Sequence, residues 1–169
     1  VWRNDVTLWS DTAQKTPQSY RPFLYLGDAY SYYGDVYAPK ALAAYQQALA
    51  RPGAPQLQIR SSLGRLYGIL NQQDFALREF KKVLALGGPS AIAYYNLGIT
   101  YYYKQEYSKA LESFGQGQMI DKNYFWLYYG IGLVYEKEKK FDEARAMFEQ
   151  ALKIEPQFSV AKAALQLLP

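Results

Sequence analysis

The chain reads as an all-α fold, a stack of repeated helix pairs, and three observations predict it. A cluster Leu/Ile-Gly-x-x-Tyr recurs at Leu26-Gly27 with Tyr30, Leu63-Gly64 with Tyr67, Leu97-Gly98 with Tyr101, and Ile131-Gly132 with Tyr135. The last three copies stand 34 residues apart and the first lies 37 upstream, a period that marks stacked supersecondary units. In the same frame Ala41, Ala76, Ala110 and Ala144 are each followed four residues later by Tyr45, Phe80, Phe114 and Phe148. Three residues further come Ala48, Val83, Gly117 and Ala151, so that offsets of three, four and seven draw one stripe along a helix. Polar turns and Pro/Gly breaks then alternate between these clusters.

Each repeat therefore splits into a helix A with the Leu-Gly-Tyr cluster and a helix B with the Ala-aromatic-small cluster. Glycine inside a helix costs about 1 kcal/mol against alanine, so four copies in one frame imply that close backbone approach offsets the cost. Taken in order, residues 4–19 form a half-unit helix. Trp9, Thr12 and Pro17 fall in it at the spacing of a helix B aromatic, small residue and closing proline. Repeat 1 spans 20–56, with about two extra residues around Tyr37 and Ala38 before Pro39 opens helix B. Repeat 2 spans 57–90, repeat 3 spans 91–124, repeat 4 spans 125–158, and 159–169 form a capping helix. In that last helix Val160, Ala164, Leu167 and Leu168 are apolar and only Lys162 is charged. Gly34-Asp35, Asn71-Gln72, Lys104-Gln105 and the lysine-rich run at 137–140 fall between A and B. Pro52-Gly53-Ala54-Pro55, Gly87-Gly88-Pro89 and Pro156 separate B from the next A, where proline cannot continue a helix. Asp74 and Asp142 are expected N-caps of helices B. The whole predicts nine or ten helices and no strand.

The pattern resembles that of the tetratricopeptide repeat (TPR) proteins, whose unit of 34 residues carries an aromatic, Leu-Gly, Tyr, Ala, aromatic, Ala and Pro at set places. The fourth copy matches throughout, with Tyr128, Ile131-Gly132, Tyr135, Ala144, Phe148, Ala151 and Pro156. The second departs most: Arg60 replaces the aromatic, and Gly88 stands in place of proline; the third has Lys122 there. The resemblance implies a right-handed superhelix in which helices A line a concave, ligand-holding groove. Its groove places map onto Arg21, Leu24, Asp28, Ser31 and Tyr32 in repeat 1, and onto Gln58, Ser61, Arg65, Gly68 and Ile69 in repeat 2. Repeat 3 supplies Ile92, Tyr95, Ile99, Tyr102 and Tyr103, and repeat 4 supplies Trp126, Tyr129, Leu133, Glu136 and Lys137. The expected ligand residues are Asp28, Tyr32, Arg65, Tyr95, Tyr102, Trp126 and Tyr129. Tyr95, Tyr102, Trp126 and Tyr129 are surplus to the structural pattern; they read either as solvated decoration or as a contact surface, since Tyr and Trp are enriched at hot spots. The groove places used by carboxylate-clamping relatives hold no lysine and asparagine pair here. Asn96, where some glycosyltransferase-type superhelices place an asparagine ladder, is single.

Inventory excludes much chemistry. The chain has no His and no Cys, which removes the commonest bases, thiolate nucleophiles and zinc ligands. No glycine-rich phosphate loop occurs, so neither a catalytic residue, a metal nor a cofactor is expected. The net charge of +4 is no nucleic-acid stripe: 57–90 carry five basic against two acidic residues, and 125–169 balance six against six. Arg78, Lys81 and Lys82 read as a solvated convex side. No segment is apolar enough to span a bilayer.

The N-terminal string from Trp2-Arg3-Asn4-Asp5 through Trp9, Asp11, Lys15 and Pro17 to Arg21-Pro22 resembles a junction in bacterial polytopic membrane proteins. In those, a glycosyltransferase-like transmembrane region precedes extracytoplasmic TPRs. That resemblance implies upstream spans, a periplasmic placement and Trp2 near the membrane interface; a half-repeat cap in a cytoplasmic protein is the competing reading. Two function classes follow. One is a non-catalytic scaffold binding a protein or peptide segment in the helix-A groove. The other is a glycan- or acceptor-binding module of a membrane glycosyltransferase.

Overall fold

The computed structural model describes residues 2–169, with side chains from Asp5 onward. The side chain of Trp2, expected near a membrane interface, lies outside the described residues. Ten α-helices and one short 3-10 turn account for the fold, and no strand occurs among the described residues. They are α1 (Trp2–Lys15), α2 (Arg21–Tyr32), α3 (Ala38–Leu49), α4 (Gln56–Ile69), α5 (Gln73–Gly87), α6 (Ala91–Tyr103), α7 (Tyr107–Ile120), α8 (Phe125–Lys137), α9 (Phe141–Ile154) and α10 (Ser159–Leu167). The 3-10 turn, Asp35–Tyr37, absorbs the extra residues of the first repeat, and Pro39 lies in the first turn of α3 behind it. The chain forms two compact bodies, residues 1–86 and 87–169, with the boundary at the end of α5. No described helix is long and apolar enough to cross a membrane.

The glycine of each helix A lies against the aromatic of its own helix B. A Cβ built on Gly27 would stand 2.5 Å from the Tyr45 ring, one on Gly64 2.6 Å from Phe80, and one on Gly132 2.5 Å from Phe148. Gly98 meets Phe114 in the same way. Side chains do not approach so closely, so glycine is what lets the two backbones close on the ring. The aromatic thus fills the gap inside its own pair. Phe114 also reaches the next unit, where it would block a Cβ on Gly130 of α8 at 2.5 Å.

Helices A of repeats 2 to 4 end alike. Asn71, Gln105 and Lys139 take positive φ of 56°, 61° and 60°. The next N–H groups, of Gln72, Glu106 and Lys140, donate back to the carbonyls of Tyr67, Tyr101 and Tyr135 at 2.8, 3.0 and 2.9 Å. This is the Schellman closure, in which a left-handed residue lets orphan carbonyls find donors. Glycine suits that conformation better, so Gln105→Gly is expected to stabilise the chain by about 0.5–1 kcal/mol, read from urea unfolding. The repeat tyrosines Tyr30, Tyr101 and Tyr135 are each approached by an ammonium, of Lys40, Lys109 and Lys140, at 5.8, 5.7 and 5.7 Å.

Two expectations need correction, and one irregularity is explained. Asp74 and Asp142 are not N-caps: α5 begins at Gln73, and α9 begins at Phe141 with Lys140 as its cap residue. Both carboxylates sit inside the first turn, where the positive end of the helix dipole favours them. A side-chain cap occurs instead at Ser90, whose Oγ accepts from the Ala93 N–H at 3.2 Å. In α10 the buried residues are the N-cap Phe158 and Ala161, whereas Val160 and Leu167 are exposed. Arg60, which breaks the aromatic pattern in repeat 2, is held by Glu79 of α5 at 2.8 Å, and Lys82 bonds the other oxygen of that carboxylate at 2.8 Å. Lys82 is therefore not simply solvated.

Candidate functional site

In the second body the two helices A, α6 and α8, pack side by side. Their shared face carries the tyrosines and tryptophan expected at groove places. Tyr95 leans on the core ring of Phe114 at 6.1 Å, meets Tyr124 edge-on at 5.9 Å and Trp126 at 5.6 Å. Trp126 meets Tyr129 at 6.0 Å and Phe158 at 4.6 Å, and Tyr129 contacts Phe148 at 5.6 Å and Phe158 at 5.3 Å. Tyr102 packs against Tyr103 at 5.4 Å and Tyr107 at 6.0 Å. Edge-on and tilted contacts of this kind suit aromatic quadrupoles and fix ring orientation.

These residues are neither pure surface nor pure core. Tyr95 is mostly buried, and its phenol pKa is pushed up, first by burial and then by neighbouring Tyr124, Tyr129 and Tyr103. Burial, followed by the charge of Glu136, raises Tyr102 to about 12. Both hydroxyls keep their protons at neutral pH and are available to donate a hydrogen bond to a ligand. Trp126, Tyr102 and Tyr129 are half-buried, while Ile92 and Tyr103 on the same helices are 59% and 65% exposed. The outcome is a braced ring platform with an open rim. Phe158, Phe125 and Tyr124, which brace it, were not singled out in the sequence. The signal available was that Tyr124 and Phe158 both close their repeats with an aromatic.

In the first body the expected groove residues line two separate clefts. Arg65 borders a cleft of about 240 Å³ with Ser31, Asp35, Ser62 and Ile69, and its Nη2 donates to Ser62 Oγ at 3.4 Å. Asp28 and Tyr32 line another, of about 680 Å³, with Asp5, Trp9, Tyr25, Ala29 and Tyr33. Leu24, mapped to a groove place, is buried in a core that also takes in Ala13, Phe23 and Trp9, because α1 packs over α2. Among the described residues no group of three or more metal-ligating side chains comes together.

Asp28 has a structural duty too. Tyr45 Oη donates to its Oδ1 at 2.6 Å, and burial first, then this bond, push the Tyr45 phenol from 10.0 up to about 12. An unfolded tyrosine ionises near its ordinary 10.0, whereas the folded one holds its proton longer. The stabilisation is thus complete below pH 10 and lost as pH rises toward 12. Melting temperature is expected to fall across that window, and to fall less in Tyr45→Phe.

Comparison with known proteins agrees with the helix-pair frame. Residues 91–124 and 125–158 each match a model of the tetratricopeptide repeat, so these two segments are TPRs. No curated protein matches the chain significantly in sequence. Among solved structures the chain is similar to a crystal structure of MamA, at 23% identity over 94% of this chain and 91% of that one, with a TM-score of 0.78. MamA of Desulfovibrio magneticus RS-1 is similar at 19% identity over 90% and 85%, with a TM-score of 0.77. YrrB, described as a TPR protein with an unusual peptide-binding site, is similar at 19% identity over 98% and 84%, with a TM-score of 0.75. The fold is that of a TPR protein.

Proposed function

We propose that the chain is a non-catalytic interaction scaffold, and that the α6–α8 face of the second body holds an extended peptide or protein segment. The observation carrying this reading is the braced ring platform: Tyr95, Trp126 and Tyr129 are oriented by core rings, with Tyr102 half-buried and Ile92 and Tyr103 open beside them. Rings held in place lose little entropy on binding, and Tyr and Trp bury large area per side chain. The likeness to YrrB, whose description includes peptide binding, supports the same ligand class.

Because Tyr95 and Tyr129 also pack the core, truncating them would confuse binding with stability. Tyr102→Ala and Tyr103→Ala are the cleaner changes. For a peptide selected from a random library on the wild-type chain, each is expected to raise Kd about 5- to 30-fold, a hot-spot loss of about 1–2 kcal/mol. Unchanged Kd in both would move binding elsewhere. Aromatic faces also stack on sugars, so the alternative is an accessory glycan-binding module of a membrane glycosyltransferase. An oligosaccharide panel titrated beside the peptide separates the two. The N-terminal string leads us to propose an extracytoplasmic placement as well, tested by protease accessibility of the domain in intact spheroplasts.

A further inference from the structure

The larger cleft of the first body has its own chemistry. Its walls are rings: Trp9 lies 4.4 Å from Tyr25 with planes 30° apart, and Tyr32 meets Tyr33 edge-on at 5.4 Å. Tyr32 is 84% exposed, so most of its ring is open to a ligand. Two carboxylates, Asp5 from α1 and Asp28 from α2, stand among these rings. No Lys or Arg side chain among the described residues makes an ion pair with either. Asp28 Oδ1 accepts from the Tyr45 hydroxyl, and no side chain among the described residues bonds its second oxygen. The Tyr33 phenol is raised, by burial first and then by the charge of Asp5, which puts that carboxylate near the ring.

We infer that the cleft between α1 and α2 is a binding site for a cation, an arginine side chain of a partner peptide, stacked on Trp9, Tyr25 and Tyr32 and paired with Asp5 and Asp28. Ring quadrupoles attract a cation lying over their faces. A guanidinium is planar, is weakly hydrated and can fork onto a carboxylate while it stacks, which an ammonium does less well. The volume of about 680 Å³ exceeds what one side chain needs, leaving room for flanking peptide. This site is separate from the α6–α8 platform, and either can fail without the other.

The experiment compares two small probes on the ¹⁵N-labelled 169-residue chain: N-acetyl-arginine N-methylamide and its neutral isostere, N-acetyl-citrulline N-methylamide. The arginine probe is expected to shift the Trp9 indole N–H and the amides of residues 25–33 saturably, with citrulline at least about tenfold weaker, the scale of one charge-assisted hydrogen bond. Asp5→Asn/Asp28→Asn keeps the shape of the cleft and an acceptor for Tyr45. It is expected to weaken the arginine probe about tenfold or more on the same argument, with unchanged circular dichroism. Equal binding of the two probes, no shift at Trp9, or full binding by the double variant would each overturn the assignment. The citrulline comparison needs no variant, so it decides even if the double variant misfolds.

Discussion

Phe114→Ala is expected to lower the unfolding free energy by about 3–5 kcal/mol, the range for emptying a buried aromatic site. The ring is fully buried and sits between Gly98 of its own pair and Gly130 of the next unit. Removing it opens a void bordered on both sides by glycine, and neither glycine has a side chain to fill it. The stronger test is a change of sign. In the wild-type chain Gly98→Ala drives a methyl into the Phe114 ring and is expected to cost about 1–3 kcal/mol by overpacking, and Gly98→Leu at least as much. In the Phe114→Ala background the same methyl enters empty space. It should then stabilise by up to about 1 kcal/mol, the helix-propensity gain of alanine over glycine. A double-mutant cycle on urea unfolding measures the coupling. Additive effects would mean that glycine and ring do not share one volume.

Glu79→Ala is expected to cost about 3–5 kcal/mol, because it strands a guanidinium in a mostly buried setting. The side chains of Arg60 and Glu79 are only 18% and 10% exposed, and Arg60 Nε already lacks a partner. Removing the carboxylate leaves the desolvated charge uncompensated, while losing Lys82's contact adds little at the more exposed end. Arg60→Tyr with Glu79→Ala restores the aromatic that the other repeats carry at this place. That double variant is expected to come within about 1 kcal/mol of wild type, since a buried ion pair and well-packed apolar groups are often nearly equivalent. Chemical unfolding of the two variants checks both figures.

The helix pairs were legible because glycine, aromatic and proline each impose a hard local constraint. A ring at Phe148 needs an absent Cβ at Gly132, and that coupling repeats with the period. The caps at Asp74 and Asp142 were misplaced because a carboxylate suits the first turn as well as the cap, and composition does not separate positions two residues apart. The Arg60–Glu79 pair was hidden because its partners lie on different helices with no shared motif. At the platform, Tyr95, Tyr102, Trp126 and Tyr129 were visible as residues the repeat did not need. Their bracing was not, since Phe158 and Tyr124 act across a turn, and ring geometry has no sequence period. Leu24 was mapped outward by the frame of a full repeat; α1 packs over α2 and draws it into the core.

The central claim is that ligand is held on the helix-A face of the second body. Chemical-shift mapping of the library-selected peptide on the ¹⁵N,¹³C-labelled chain tests it most directly. Saturable shifts concentrated on Ile92, Tyr102, Tyr103 and Trp126, with α7 and α9 little changed on their far sides, are the predicted result. Shifts centred on exposed residues of α7 and α9, such as Glu112, Gln116 or Arg145, with the platform silent, would contradict it.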